Sequence, residues 1–366
     1  MEHQHGGRLI EAARENNLNP DQIIDFSANI NFMGPPPLIL EAISSNVKKI
    51  ENYPEINSKN LKKLIAEKHR LTADQVTVAN GAAEMIYQLN KVLQPGQVLV
   101  IDPTFSEYQL AAESVGAEIK HFQLSQSANF MPDLEQLKAN LNNKIDLLFI
   151  CNPNNPTAHL LKADKLETVI QKAAENDITV VIDEAFIDFL TEPAQYSTIK
   201  LLDSYDNLVI LKSMTKLFAI PGLRLGYALT NKSLSLELEN RRDPWSVNYF
   251  SQLAGEIIFS RKQEIADYVK QSRKKIAVER NFLSQKLKEF KKLKVYQPTT
   301  NYIFINISGT DYSSAELKQE LARRAVLIRN CDSYHGLQDD FIRVAVKSRK
   351  ENEILIENLK LLLGGN

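Results

Sequence analysis

Two rhythms of apolar residues organise this chain. Gln75 to Ala79, Val98 to Asp102, Ile145 to Ile150, Ile178 to Ile182 and Asn207 to Leu211 are short, nearly continuous apolar runs. Such runs predict strands covered on both faces, since a strand with one wet face would alternate. Between them the period lengthens. In Lys165 to Asn176, Leu166, Val169, Ile170, Ala173 and Ala174 fall on one helical face. Strand and helix in alternation predict an α/β fold with a mostly parallel sheet flanked by helices.

From about Asn248 the texture changes. Ile265 to Phe290 reads as one long helix whose Lys and Arg residues form a solvated face. Asn301 to Ile307 reads as a strand, Ser313-x-x-Glu316 as a capping box, and Phe341 to Val346 as a further strand. These elements predict a smaller α/β domain, with the N-terminal segment and its helical run Leu9 to Ala13 packed beside it. The expected division is a large domain over residues 41–248 and a smaller one from residues 1–40 and 249–366.

Parallel sheets gather chemistry at the carboxyl ends of their strands, and the residues there are informative. The run from Gln75 empties into Asn80-Gly81-Ala82-Ala83-Glu84, a helix start whose free N–H groups suit an anion. Phe105 follows the next strand and could stack on a flat heterocycle. Cys151-Asn152-Pro153-Asn154-Asn155-Pro156-Thr157 is a loop that could present Asn155 as a donor. Asp183 ends an apolar strand and calls for a cation, although a helix N-cap would use the same residue. Lys216 stands between Ser213 and Arg224 in Ser213-Met214-Thr215-Lys216-Leu217-Phe218-Ala219-Ile220-Pro221-Gly222-Leu223-Arg224. That grouping suits an amine made ready to condense with an aldehyde, next to a hydroxyl and a guanidinium that could hold a phosphate. Singly, each of these features fits an ordinary turn, core aromatic or surface lysine; their order along the chain is what favours a pyridoxal phosphate site.

Composition narrows the function classes. Lys and Arg number 44 against 45 Asp and Glu, a formal charge of −1, which gives no electrostatic case for nucleic acid or a membrane surface. With 43% hydrophobic residues, the 366-residue chain can bury a large core. Cys151 and Cys331 have no CxxC or His-rich spacing around them, so neither a metal site nor a disulfide framework is expected. No apolar run is long enough to span a bilayer and no signal-peptide pattern opens the chain, so a cytoplasmic location is expected.

Longer motifs then carry a resemblance. His5-Gly6-Gly7, Asp25-Phe26-Ser27-Ala28-Asn29-Ile30-Asn31, Asp183-Glu184-Ala185-Phe186-Ile187-Asp188-Phe189, Pro244-Trp245-Ser246-Val247-Asn248 and Ile328-Arg329-Asn330-Cys331 span nearly the whole length. With them the chain resembles the fold-type I aminotransferase superfamily, in the branch that holds histidinol-phosphate aminotransferases and threonine-phosphate decarboxylases, and looks more similar to the latter. The resemblance implies a homodimer that uses pyridoxal 5'-phosphate. It makes Lys216 the lysine that condenses with the cofactor aldehyde, Asp183 the partner of the ring nitrogen, Asn155 the partner of the ring oxygen and Phe105 the stacking aromatic. Gly81, Ala82, Ala83, Ser213 and Arg224 match the phosphate cup, and Tyr53 matches a tyrosine reaching it from the neighbouring subunit. His5, Gly6, Asn29, Asn155, Arg329 and Arg343 match positions that hold a phosphorylated amino acid.

The activity so implied is decarboxylation of O-phospho-L-threonine to (R)-1-aminopropan-2-yl phosphate, a linker precursor in cobalamin assembly. O-phospho-L-serine, giving ethanolamine phosphate, and histidinol-phosphate transamination are the alternatives. Three positions depart from the family pattern. Phe186 stands where many aminotransferases have tyrosine, which agrees better with the decarboxylases. Ala158 replaces a usual Gly, so positive φ there would strain the loop, and Phe32-Met33-Gly34 replaces Pro-Leu-Gly. The last two are expected close to the pocket.

Overall fold

The computed structural model describes residues 6–364. Near its start a two-residue strand, β1 (Ile24–Asp25), follows the helix Leu9–Glu15. Seven strands then build the larger sheet: β2 (Val76–Ala79), β3 (Gln97–Asp102), β4 (Glu118–Gln123), β5 (Leu147–Cys151), β6 (Thr179–Asp183), β7 (Leu208–Ser213) and β8 (Gly226–Leu229). They lie in the order β2-β8-β7-β6-β5-β3-β4. Only β8 runs against its neighbours, pairing antiparallel with both β2 and β7.

The apolar runs are the strands of this sheet, with ends moved by a residue or two. Alternation across the pleat divides their side chains between two cores. Leu99, Ile101, Leu148, Ile150, Val180 and Ile182 face one layer of helices. Val98, Val100, Leu147, Phe149, Val181 and Leu211 face the other. No apolar run foretold β8, whose four residues closely follow the Lys216 to Arg224 segment, or β4, whose sequence Glu-Ile-Lys-His-Phe-Gln keeps every residue at least partly exposed because it is an edge strand.

A second sheet holds β9 (Lys294–Val295), β10 (Tyr302–Asn306), β12 (Arg329–Asn330) and β13 (Phe341–Ala345) in the antiparallel order β12-β13-β10-β9. Its core joins Ile303, Ile305, Ile342 and Val344 to Leu283 and Leu287 of the long helix Lys262–Lys288. β1 pairs in parallel with β11 (Val326–Leu327), and Phe26 is fully buried in the same core. The N-terminal segment is therefore stitched onto the C-terminal part of the chain, as the sequence suggests. The capping box at Ser313 and Glu316 opens the helix Ser314–Ala322.

The basic face of the long helix differs from expectation at two positions. Arg273 donates from Nε to the Asp188 carbonyl at 2.8 Å, and Arg280 donates to the Thr299 carbonyl at 2.6 Å. Those guanidiniums join the helix to loops rather than to water. Among the described residues no helix is long and apolar enough to cross a membrane.

Candidate active site

Strand ends and turns make the cavity. β5, β6 and β7 finish side by side, and the pleat that sends Phe149, Val181 and Leu211 to one core sends Asp183 and Ser213 to the same side. Glu184 and Lys212, one residue out of phase, go to the other side, where Lys212 Nζ lies 3.0 Å from Asp188 and 3.5 Å from Glu184. This buried ion cluster neutralises charges that would otherwise compete with Asp183 for a cation. Nothing in the sequence signalled it, because the three partners converge only once the strands are aligned.

Lys216, Ser213, Arg224, Ala82, Ala83, Phe105, Asn155, Asp183, Asn29, Gly6, Arg329 and Arg343 line one cavity of ≈ 190 Å³. Gly81 supports that lining without being part of it. Its φ is +87°, and a Cβ there would lie 2.5 Å from Arg224 Nη2. Gly226 has an equally strict role, since its Cβ would meet the Ala82 nitrogen at 2.5 Å where β8 passes behind the turn. The helix Ala82–Leu93 starts from this turn, so its first N–H groups, the Ser213 hydroxyl and Arg224 make a cradle for an anion. Arg224 itself holds φ +63°, an uncommon conformation outside glycine.

Asp183 is buried and accepts hydrogen bonds from the Tyr108 hydroxyl at 2.6 Å and from the Ala185 N–H at 2.9 Å. Burial pushes its carboxyl above the ordinary range, against the pull of those donors and of Lys212 and Lys216. A carboxylate so placed is stabilised by a cation set against it. No helix starts at Asp183, so the N-cap alternative does not apply; the next helical turn spans Ile187–Phe189. Tyr108 went unnoticed in the sequence, although it follows Phe105 by three positions and its ring stacks on Phe149 at 4.8 Å.

Lys216 lines the same cavity. Burial first, then the positive charges of Arg343 and Arg224, lower its ammonium to about 8. Its segment is fixed from the N-terminal side: Asn31 donates its N–H to the Lys216 carbonyl at 3.1 Å and its side-chain Nδ2 to the Leu217 carbonyl at 2.8 Å.

Arg343 lies on β13, which is central in its sheet, and all five residues of that strand are buried. It is therefore not an outward-facing residue. Its Nη2 donates to the Ser27 carbonyl at 2.6 Å, its Nη1 donates to Asn155 Oδ1, and its buried Nε has no protein partner. Tyr334, also absent from the sequence reading, donates to the same Asn155 oxygen at 3.3 Å. With that oxygen engaged, the Asn155 carboxamide has Nδ2 left as its donor. Asn29 Oδ1 is another buried atom without a partner.

Tyr53 is not part of this lining. Its side chain is 83% exposed and packs on Trp245 with ring centroids 5.1 Å apart. His5 lies outside the described residues. Ala158 adopts φ +60°, so the strain expected of a non-glycine residue there is present. Neither it nor Phe32, Met33 or Gly34 lines the cavity, although Asn155 and Asn29, three residues before Ala158 and Phe32, both do. Phe186 does line it.

The chain matches the family described as aminotransferase class I and II over residues 21–359, and it belongs to that family. It is 33% identical to the threonine-phosphate decarboxylase of Salmonella typhimurium over 362 residues, 99% of this chain and 97% of the relative. It is 30% identical to the histidinol-phosphate aminotransferase of Methanococcus aeolicus over 353 residues, 96% of this chain and 92% of the relative. The crystal structure of the histidinol-phosphate aminotransferase from Clostridium acetobutylicum matches with a TM-score of 0.84 at 30% identity, covering 92% of this chain and 97% of that one. The family uses pyridoxal phosphate, and so does this chain. The residues fit that group: an anion cradle at one end of the cavity, a buried carboxyl that calls for a cation, and a lysine whose proton is loosely held.

Proposed function

We propose that this aminotransferase-family protein is a pyridoxal-phosphate-dependent carboxy-lyase that converts O-phospho-L-threonine to (R)-1-aminopropan-2-yl phosphate and carbon dioxide. The charge inside the cavity carries the reading. Among the described residues, Lys216, Arg224, Arg329 and Arg343 line it together with the carboxyl of Asp183. A cofactor phosphate between Ser213, Arg224 and the Gly81-Ala82-Ala83 turn accounts for one of them. Arg343, buried with its Nε without a protein partner, then suits a substrate carboxylate, and the family pattern gives Arg329 the substrate's phosphate. Phe186 supports a lyase over a transaminase by the family pattern, and so does the name of the Salmonella relative.

Bound pyridoxal phosphate supplies an aldehyde for the substrate amine and a ring that draws electrons from the α-carbon. Asp183 would hold its negative charge toward the ring nitrogen, Asn155 would donate to the ring oxygen, and Phe105 would pack on the ring. Arg343 grips the carboxylate, which sets the bond that breaks. Arg329, with Gly6, Asn29 and His5, holds the phosphate. Lys216 Nζ returns a proton to carbon once carbon dioxide has left.

The same reading makes the protein a cytoplasmic homodimer in which Tyr53 reaches the phosphate cradle of the neighbouring subunit, consistent with its exposure. It places the cofactor in the domain of residues 41–248, with residues 1–40 and 249–366 forming the other. The product would serve as the linker precursor in cobalamin assembly.

The test is carbon dioxide release from O-phospho-L-threonine with and without 2-oxoglutarate, beside O-phospho-L-serine and L-histidinol phosphate. Release that needs no acceptor is expected, fastest with the threonine ester. Faster release from the serine ester would make that the substrate, since one methyl group is worth only about 1–3 kcal/mol in a pocket. Acceptor-dependent turnover of histidinol phosphate without carbon dioxide would replace the lyase with the transaminase.

A further inference from the structure

Outside the cavity, one other group of side chains among the described residues has the composition of a metal-ligand site. Asp102 ends β3, His121 lies beside it on the edge strand β4, and His335 comes from the segment between β12 and β13. Asp102 Oδ2 is 2.5 Å from His121 Nδ1 and 3.3 Å from His335 Nδ1. The two imidazoles stack with centroids 3.7 Å apart and planes 15° from parallel, and the ligand atoms of all three residues lie within 4.8 Å of one another.

We propose that Asp102, His121 and His335 bind one Zn²⁺ ion, which ties the segment carrying His335 to the edge of the larger sheet. Two imidazole nitrogens and a carboxylate oxygen are a borderline donor set suited to zinc. The carboxylate is almost wholly buried, whereas the His121 and His335 side chains are 26% and 47% exposed. An ion can thus enter from solvent, complete its shell with water and keep an anchored anion behind it. Tetrahedral bonds of about 2.0–2.2 Å set ligand atoms about 3.4 Å apart, so binding parts His121 Nδ1 from Asp102 Oδ2 by roughly 0.9 Å and turns the half-exposed His335 ring out of its stack on His121, so that both ring nitrogens face the ion. The proton held between those two atoms leaves to solvent as the ion takes their lone pairs.

The site has a reason to matter. His335 follows Tyr334, whose hydroxyl reaches Asn155 in the cavity. Gly336, at φ +78°, packs so tightly on Gln123 that a Cβ would overlap its carboxamide. An ion on His335 would therefore hold Tyr334 against Asn155.

Equilibrium dialysis of the holoprotein against Zn²⁺, with Co²⁺ as a coloured substitute, tests this. Expected are one ion per chain at about 10 µM free metal or below, and visible Co²⁺ bands of tetrahedral strength. Affinity should fall more than about tenfold in His335→Ala and in His121→Ala. His335→Ala removes a half-exposed side chain, so it keeps the test open if His121→Ala does not fold. Because the N-terminus carries His3 and His5, the H3A/H5A chain should bind as the unaltered protein does. Absence of stoichiometric binding would overturn the proposal, as would binding unchanged in both His121 and His335 variants or lost in H3A/H5A; the triad would then be a hydrogen-bonded latch only.

Discussion

At the residue scale, the lysine is the sharpest case. Ser213, Lys216 and Arg224 could be picked out by their place after the other strand-end motifs, but their effect on one another could not. Burial beside Arg343 and Arg224 brings Lys216 to about 8, so at neutral pH an appreciable fraction of the amine is free to react. Covalent capture of pyridoxal phosphate by apoprotein should therefore rise with pH through a midpoint near 8, read as borohydride-fixed label on the peptide containing Lys216. A midpoint near 10, the range of an ordinary lysine, would show that burial and the neighbouring guanidiniums do not act as described. Lys216→Ala should keep the fold and lose both label and turnover. Tyr108 and Tyr334 escaped sequence reading for a simple reason: a tyrosine is equally at home in a core, and only its hydroxyl's partner reveals its task.

At the element scale, buried strands were legible and junctions were not. Continuous apolar runs marked β3, β5 and β6 because both faces of those strands meet helices. β4 stayed hidden as a polar edge. Asn248 shows how a quoted motif residue acquires a physical meaning. Its Oδ1 accepts the Ser251 N–H at 2.9 Å, capping the helix Tyr249–Ser260, and its Nδ2 donates to the Leu223 carbonyl at 3.1 Å. It joins that helix to the segment leading from Lys216 to Arg224. Asn248→Ala should lower stability by about 1–2 kcal/mol, seen as a reduced urea midpoint. Asn248→Ser should recover part of that loss, because serine restores the cap but cannot reach Leu223; equal midpoints for all three chains would disprove the role.

At the scale of the whole molecule, two histidines held neutral by burial bear on stability in acid. Burial lowers His159 to about 4, and burial with the Lys212 charge lowers His69 to about 4. A histidine whose folded value is depressed gives its full contribution above the unfolded value near 6.5 and loses it as pH falls toward 4. Stability should thus drop through that window by on the order of 3 kcal/mol per buried histidine. His159→Gln should flatten the pH dependence of the urea midpoint between pH 6.5 and 4. An unaltered slope would show that other groups drive acid unfolding.

What the sequence determined by itself was five of the seven strands of the larger sheet, through their apolar runs, and the set of groups at their ends, because parallel strands must deliver their carboxyl-terminal residues to one edge. Tertiary structure alone decided which face each of those groups took and which distant segments met there. Phase along the pleat separates Asp183 and Ser213 from Glu184 and Lys212, while β13, remote in sequence, brings Arg343 to Asn155. Local pattern encodes burial and direction, whereas the meeting of β13 with the larger sheet depends on packing between cores that no short stretch of chain contains.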